Sequence, residues 1–110
     1  MEQVKPRGNR RATIRYRCAP ATVGKILSAD DQEYQRVWVL DLSMQGVGLQ
    51  VARPLEPGHF LVVLMKTNDG KRLYELPAQV IRCDPLLFGE FQIGCELAIT
   101  LTMEDLDQLL

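Results

Sequence analysis

FLVVLMKTNDGKRLYELPAQVIRC, residues 60–83, is the stretch of sequence that decides the fold. Its first segment, Phe60–Lys66, is short and almost continuously apolar, which is typical of a strand covered on both faces. The tripeptide NDG at residues 68–70 follows, and Asn, Asp and Gly all tolerate positive φ. The sequence therefore predicts a β-hairpin whose second strand spans residues 73–83.

The rest of the chain has mostly the two-residue periodicity of strands, with turn-forming residues between the segments. Further strands are predicted over residues 12–18, 23–28, 36–40, 47–52 and 91–101, with a loop at 29–35 and a turn at 54–58. In the first segment, alternation directs Ala12, Ile14, Tyr16 and Cys18 inward and Arg11, Thr13, Arg15 and Arg17 outward. Because crossover helices are missing, the pattern favours an antiparallel barrel or sandwich of six or seven strands.

Only the last residues have helical spacing. Thr102 precedes Asp105 by three positions, which is the arrangement of a capping box with Asp in place of Glu. Four apolar residues then recur at helical intervals: Met103, Leu106, Leu109 and Leu110. We therefore expect a short C-terminal helix over residues 102–110 that packs on the sheet as a lid.

Length and composition indicate one folded domain. A chain of 110 residues is near the commonest domain size and can bury a core without a metal or disulfide bonds. With 46% hydrophobic and 25% charged residues, its composition is that of a globular protein. We expect a single domain over residues 1–110, with a flexible basic arm at 1–10, the β-structure at 11–101 and the helix at 102–110.

Charge is distributed unevenly along the chain. The formal net charge is -1, yet residues 1–17 hold six cations and one anion. Since the rest of the chain is acidic, it lacks the broad positive face that a protein wrapping long nucleic acid usually needs. A small anionic ligand fits this distribution better.

No apolar run is long enough to cross a bilayer, so we expect a cytoplasmic protein without membrane insertion.

Catalytic and metal-binding groups are incomplete in the sequence. His59 is the only histidine, and the three cysteines lack CxxC spacing, so a zinc site and Ser–His chemistry are not predicted. Asp41 and Ser43 lie two residues apart without a general base, which a nucleophile needs within hydrogen-bond reach. We therefore expect a binding module that is not an enzyme and needs no cofactor.

Two polar motifs stand out between the predicted strands. They are an RxxxR pattern at Arg11 and Arg15, preceded by Arg10, and a DxSxxG pattern at Asp41, Ser43 and Gly46. A guanidinium can stack on a base, and its fork can donate to guanine O6 and N7 or to phosphate oxygens. A carboxylate can accept from the N1–H and N2–H2 edge of guanine, a hydroxyl adds a hydrogen bond, and glycine permits a backbone that a side chain would block. Together the motifs supply what a guanine nucleotide needs.

In this order and separation, on a small β-rich chain, the motifs resemble the signature of the PilZ domain family, the bacterial receptor modules for cyclic di-GMP. The resemblance implies a mainly β fold, a six- to seven-stranded antiparallel split barrel with a short C-terminal helix. It also implies a cyclic di-GMP site formed by Arg10, Arg11, Arg15, Asp41, Ser43 and Gly46, with Arg7 as a supporting cation. Residues 7–11 also match RxxxR, but we prefer the register that ends at Arg15, because Tyr16 directly after it looks more like the family.

The resemblance suggests a mechanism and leaves two alternatives. Cyclic di-GMP would draw the arginines onto the barrel face beside Asp41 and Ser43 and so change the surface that a protein effector contacts. One alternative is a PilZ-like adaptor that binds proteins but no nucleotide. The other is a small barrel that binds single-stranded nucleic acid through its basic arm, although the aromatic residues that such surfaces need are scattered.

Overall fold

The computed structural model describes residues 14–28 and 33–110, which form seven strands, a single turn of 3-10 helix (Leu87–Gly89) and a C-terminal helix. The strands are β1 (Tyr16–Arg17), β2 (Val23–Ser28), β3 (Gln35–Leu42), β4 (Gly46–Val51), β5 (Phe60–Lys66), β6 (Leu73–Pro85) and β7 (Phe91–Leu97), and the helix is α1 (Met103–Leu109). All strand pairs are antiparallel, in the order β1-β3-β2-β5-β6-β7-β4, and β4 also pairs with β3. Because that pairing closes the sheet, six strands form a barrel and β1 is an extra strand on β3. The predicted mainly β antiparallel barrel with a short C-terminal helix is confirmed.

Alternation of side chains along the strands fills the barrel. On β5, Leu61, Val63 and Met65 are buried, whereas the residues between them are half-buried. The side chains that are less than 2% exposed are Ile26, Leu42, Val47, Leu49, Val63, Met65, Leu76, Val80, Ile93, Leu101 and Leu106. Residues at the alternate positions lie on the outer face, where a ligand can reach them.

The predicted hairpin between β5 and β6 is confirmed. The Thr67 N–H donates to the Arg72 carbonyl oxygen at 2.9 Å, and Gly70 has a φ of 72°. The Asp69 carboxylate accepts from the Thr67 hydroxyl at 2.6 Å and from the Lys71 N–H at 3.0 Å. These two hydrogen bonds lower the pKa of Asp69 and fix the turn.

Some predicted faces and boundaries were wrong. Ile14, predicted inward, is 41% exposed, because β1 begins only at Tyr16. Phe60 is 63% exposed, because the barrel is a single sheet whose outer face meets solvent. The predicted strands at 36–40 and 91–101 are Gln35–Leu42 and Phe91–Leu97 in the structure. The proposed arm at 1–10 and most of the loop at 29–35 lie outside the described residues.

The C-terminal helix begins at the predicted capping box. The Asp105 N–H donates to the Thr102 hydroxyl at 3.0 Å, and the Thr102 N–H donates to the Asp105 carboxylate at 2.8 Å. The Tyr74 hydroxyl donates to the same carboxylate at 2.7 Å, and the Asn68 N–H donates to the Gln108 carbonyl oxygen at 2.8 Å. The helix is therefore attached to the β5–β6 hairpin at both its ends. No helix among the described residues is long and apolar enough to span a membrane.

We expect Thr102→Ala to lower the free energy of unfolding by about 1 kcal/mol, because the Asp105 N–H loses its cap. Urea denaturation monitored by circular dichroism measures the loss. Thr100→Ala, an exposed position outside the helix, is the control and should be nearly neutral. Equal losses in the two variants would show that the cap does not hold the helix in place.

Candidate functional site

Asp41 reaches the outside of the barrel because β3 contains a β-bulge. The neighbouring pairs of β3 and β4 are Val39–Leu49 and Asp41–Gly48, so two steps along β3 match one step along β4. Without the extra residue Leu40, Asp41 would share the inward face of the buried Val39. The bulge instead leaves 25% of the Asp41 side chain exposed on the outer surface.

Arg15 forms an ion pair with this carboxylate. Its Nη1 donates to Asp41 Oδ1 at 2.6 Å. The pairing of β1 with β3 sets Arg17 opposite Asp41 and so brings the residues just before β1 to the same place. The Arg15 side chain is 49% exposed, and an ion pair this open contributes only about 0–1 kcal/mol to stability. The pair therefore chiefly positions two opposite charges where a ligand can reach both.

The turn between β3 and β4 is held by hydrogen bonds on both sides. The Ser43 N–H donates to the Gly46 carbonyl oxygen at 2.9 Å, and the Gln45 N–H donates to the Ser43 hydroxyl at 3.3 Å. The carbonyl oxygens of Met44 and Gln45 accept from the backbone N–H groups of Leu101 and Leu97, at 2.7 and 2.8 Å. The turn is thus tied directly to the end of β7 and to the segment that leads into α1.

Three outward-facing glycines lie beside the ion pair: Gly46 and Gly48 on β4 and Gly94 on β7. We call them the glycine floor. Gly48 pairs directly with Gly94, so the two share one face of the sheet. A Cβ at Gly48 would lie 2.8 Å from Asp41 Oδ1, and one at Gly46 would lie 3.2 Å from Ser43 Oγ. None of the three has positive φ, so what glycine provides at these positions is space rather than an unusual backbone conformation.

Two open cavities flank the Arg15–Asp41 pair. One, of about 590 Å³, is lined by Arg15, Ser43, Gly46, Gly94 and Arg82 among others. The other, of about 760 Å³, is lined by Asp41, Arg17, Trp38, Gln50 and Gln92 among others. One member of the ion pair lies in the wall of each cavity. A flat, polar ligand seated in either cavity would therefore meet one of the two charges directly.

Cys18 and Cys95, the two buried cysteines, carry protonated thiols at neutral pH rather than reactive groups. Burial, together with a smaller contribution from the negative charge of Asp41, raises the pKa of Cys18 to about 11. Burial alone raises the pKa of Cys95 to about 12. Since the thiolate is the nucleophile and the metal ligand, neither residue supplies one at neutral pH.

The structure does bring one hydroxyl to the single histidine. Ser28 Oγ and His59 Nε2 lie 2.5 Å apart, a contact that the sequence spacing did not predict. Neither residue lines either of the two cavities beside Asp41. In residues 14–28 and 33–110, no group of three His, Cys, Asp or Glu side chains is placed to hold a metal ion.

Four of the predicted ligand-binding residues lie together: Arg15, Asp41, Ser43 and Gly46. The other three, Arg7, Arg10 and Arg11, lie outside the described residues, so their positions stay predictions. Sequence reasoning missed Gly48, Gly94 and Arg82. A glycine inside an apolar strand often marks a close approach, and that signal was available at residues 48 and 94.

Comparison with known proteins agrees with the fold and with the family resemblance. The model of the PilZ domain family matches residues 9–110, and the chain belongs to this family. The PilZ domain of CeSA from a cellulose-synthesizing bacterium is similar in structure, with a TM-score of 0.60, 18% identity, and coverage of 84% of this chain and 87% of that one. The Bacillus subtilis inhibitor of motility, MotI/DgrA, has a TM-score of 0.65 at 14% identity, over 87% of this chain and 46% of that one. No curated protein matches the sequence significantly.

The contact between Gly48 and the Asp41 carboxylate can be tested by a double-mutant cycle. A Cβ at residue 48 would displace the carboxylate, so Gly48→Ala should cost about 1 kcal/mol more in the wild type than in an Asp41→Ala background. Chemical denaturation of the four proteins gives the coupling. Equal costs in both backgrounds would mean that the carboxylate does not lie on Gly48.

The three thiols should differ in reactivity. Cys83 is half-buried, whereas Cys18 and Cys95 are buried and have raised pKa values. An alkylating reagent at pH 8 should therefore modify Cys83 first and the other two only under denaturing conditions, as read by peptide mass spectrometry. Fast labelling of Cys18 in the folded protein would contradict its burial in the core.

Proposed function

We propose that this PilZ domain binds cyclic di-GMP at the glycine floor and passes the signal to a protein effector. The observation that carries the proposal is the 2.6 Å pair of Arg15 and Asp41, which joins one residue of each motif on the outer face. PilZ domains are regulatory binding modules rather than enzymes, which agrees with a site built for recognition. Arg15 in this position also favours the RxxxR register of Arg11 and Arg15 over that of Arg7 and Arg11.

The two charges complement different parts of a guanine nucleotide. Asp41 accepts from the N1–H and N2–H2 edge of the base, which adenine does not offer. Arg15 donates to guanine O6 and N7 or to a phosphate oxygen, and its flat face can stack on the base. On binding, the ligand shares or replaces the existing ion pair, and this exchange costs little because the pair is exposed.

The cationic residues before β1 complete the proposed site. Arg10 and Arg11, with Arg7 in support, add positive charge against the two phosphates of the ligand. Taking about 1–3 kcal/mol for each bidentate contact to guanine and about 0.5–2 kcal/mol for each stacked guanidinium, a few contacts reach the roughly 8 kcal/mol of a micromolar complex. Contact of these residues with the bound ligand would change the surface that an effector contacts.

The turn offers a route for the signal within the described residues. Its Met44 and Gln45 carbonyl oxygens hold the backbone at Leu101 and Leu97, next to the cap of α1. A ligand that shifts Ser43 would therefore shift the base of the helix as well. The effector surface in this proposal includes α1 and the barrel face around Asp41.

Isothermal titration with cyclic di-GMP tests the proposal. Wild type should bind, and Arg15→Ala should lose measurable binding while keeping its melting temperature. Asp41→Ala should weaken binding by about 1–3 kcal/mol and reduce the preference for cyclic di-GMP over cyclic di-AMP. Arg36→Ala removes an exposed arginine of β3 that lines neither cavity of the site, and should bind as wild type does.

Other outcomes would favour the alternatives. No heat and no shift in melting temperature at high micromolar cyclic di-GMP would favour an adaptor that acts through proteins alone. Strong oligonucleotide binding that cyclic di-GMP does not compete away would favour a nucleic-acid-binding barrel. Wild-type affinity in Arg15→Ala would refute the assignment of the site.

A further inference from the structure

Arg82 lies across the glycine floor from Asp41. Like Asp41, it reaches the outer face because its strand contains a β-bulge. On β6 and β7, the neighbouring pairs are Val80–Cys95 and Arg82–Gly94, so β6 contains a bulge at Ile81. Without it, Arg82 would share the inward face of the buried Val80. The bulge turns its guanidinium outward instead.

One row of residues connects the two bulges. Asp41 pairs with Gly48, Gly48 with Gly94, and Gly94 with Arg82, across β3, β4, β7 and β6. The middle two residues have no side chains, and the outer two carry opposite charges. Strands lie about 4.8 Å apart, so the two glycines form a low strip onto which the Asp41 carboxylate reaches from one side and the Arg82 side chain from the other.

The Arg82 side chain lies on the strip rather than pointing away from it. A Cβ at Gly94 would lie 3.3 Å from its Cγ and 3.5 Å from its Nε. The Asp84 carboxylate holds the same Nε at 3.3 Å, and 63% of the Arg82 side chain stays accessible. The glycine and the carboxylate therefore support the guanidinium from below and from the side, and leave much of its surface for a ligand.

The same residue lines the 590 Å³ cavity that also contains Arg15, Ser43 and Gly46. We infer that Arg82 is a further ligand-binding residue, which contacts a guanine base of the nucleotide through the plane or the fork of its guanidinium. This inference rests on the proposed cyclic di-GMP binding. A guanine base would thus contact the β6–β7 side of the glycine floor, across the floor from Asp41.

Arg82→Ala and Arg82→Lys test this role, because lysine keeps the charge but has neither the plane nor the fork. Titration with cyclic di-GMP should show about tenfold weaker binding for both variants, the loss of one stacked or bidentate contact. Arg36→Ala is the charge-matched control and should stay within about twofold of wild type. Melting temperatures of all variants should match wild type, since the side chain is exposed.

The outcomes separate this inference from the proposal on which it rests. Wild-type affinity in Arg82→Ala, or affinity restored by Arg82→Lys, would overturn the base contact while cyclic di-GMP binding itself stands. Absence of binding by the wild type would overturn both. Gly94→Ala gives an independent check, because its Cβ would push the guanidinium off the strip. It should weaken binding in the wild type and add no further loss to Arg82→Ala.

Discussion

The β-bulge at Leu40 is the constraint on which the site depends. Strict alternation along β3 would direct the Asp41 carboxylate into an apolar core, where an ionised group is very costly. One extra residue reverses the face and sets the carboxylate over Gly48, within reach of Arg15. The same bulge lies in the strand whose pairing with β4 closes the barrel, so the site lies at the closure of the sheet.

The glycine floor shapes the surface around the Arg15–Asp41 pair, and the turn between β3 and β4 connects that surface to the rest of the fold. Gly48 leaves room for the Asp41 carboxylate, and the absence of side chains at its neighbours keeps the surface between the charges low. Hydrogen bonds from Leu97 and Leu101 to the turn link this surface to the start of α1. Two backbone hydrogen bonds therefore connect the proposed recognition site to the segment that leads into α1.

Local features of the fold were predictable from the sequence, whereas features set by register were not. The hairpin at residues 68–70 and the capping box at Thr102 depend on neighbouring residues, and both were confirmed. The meeting of Arg15 with Asp41 was expected from the family resemblance alone, because 26 residues separate them. The bulges, the contact of Gly48 with Asp41 and the placement of Arg82 depend on which residues pair across strands, which a single sequence does not reveal.

The most direct measurement is an NMR titration with cyclic di-GMP that follows the Asp41 carboxylate carbon, the Arg15 guanidinium and the backbone amides of Ser43 and Gly48. Saturable shifts at all four groups, with one common dissociation constant, are the result predicted here. Saturable binding that shifts other parts of the barrel and leaves the Arg15 and Asp41 signals unchanged would contradict a nucleotide site built on their ion pair.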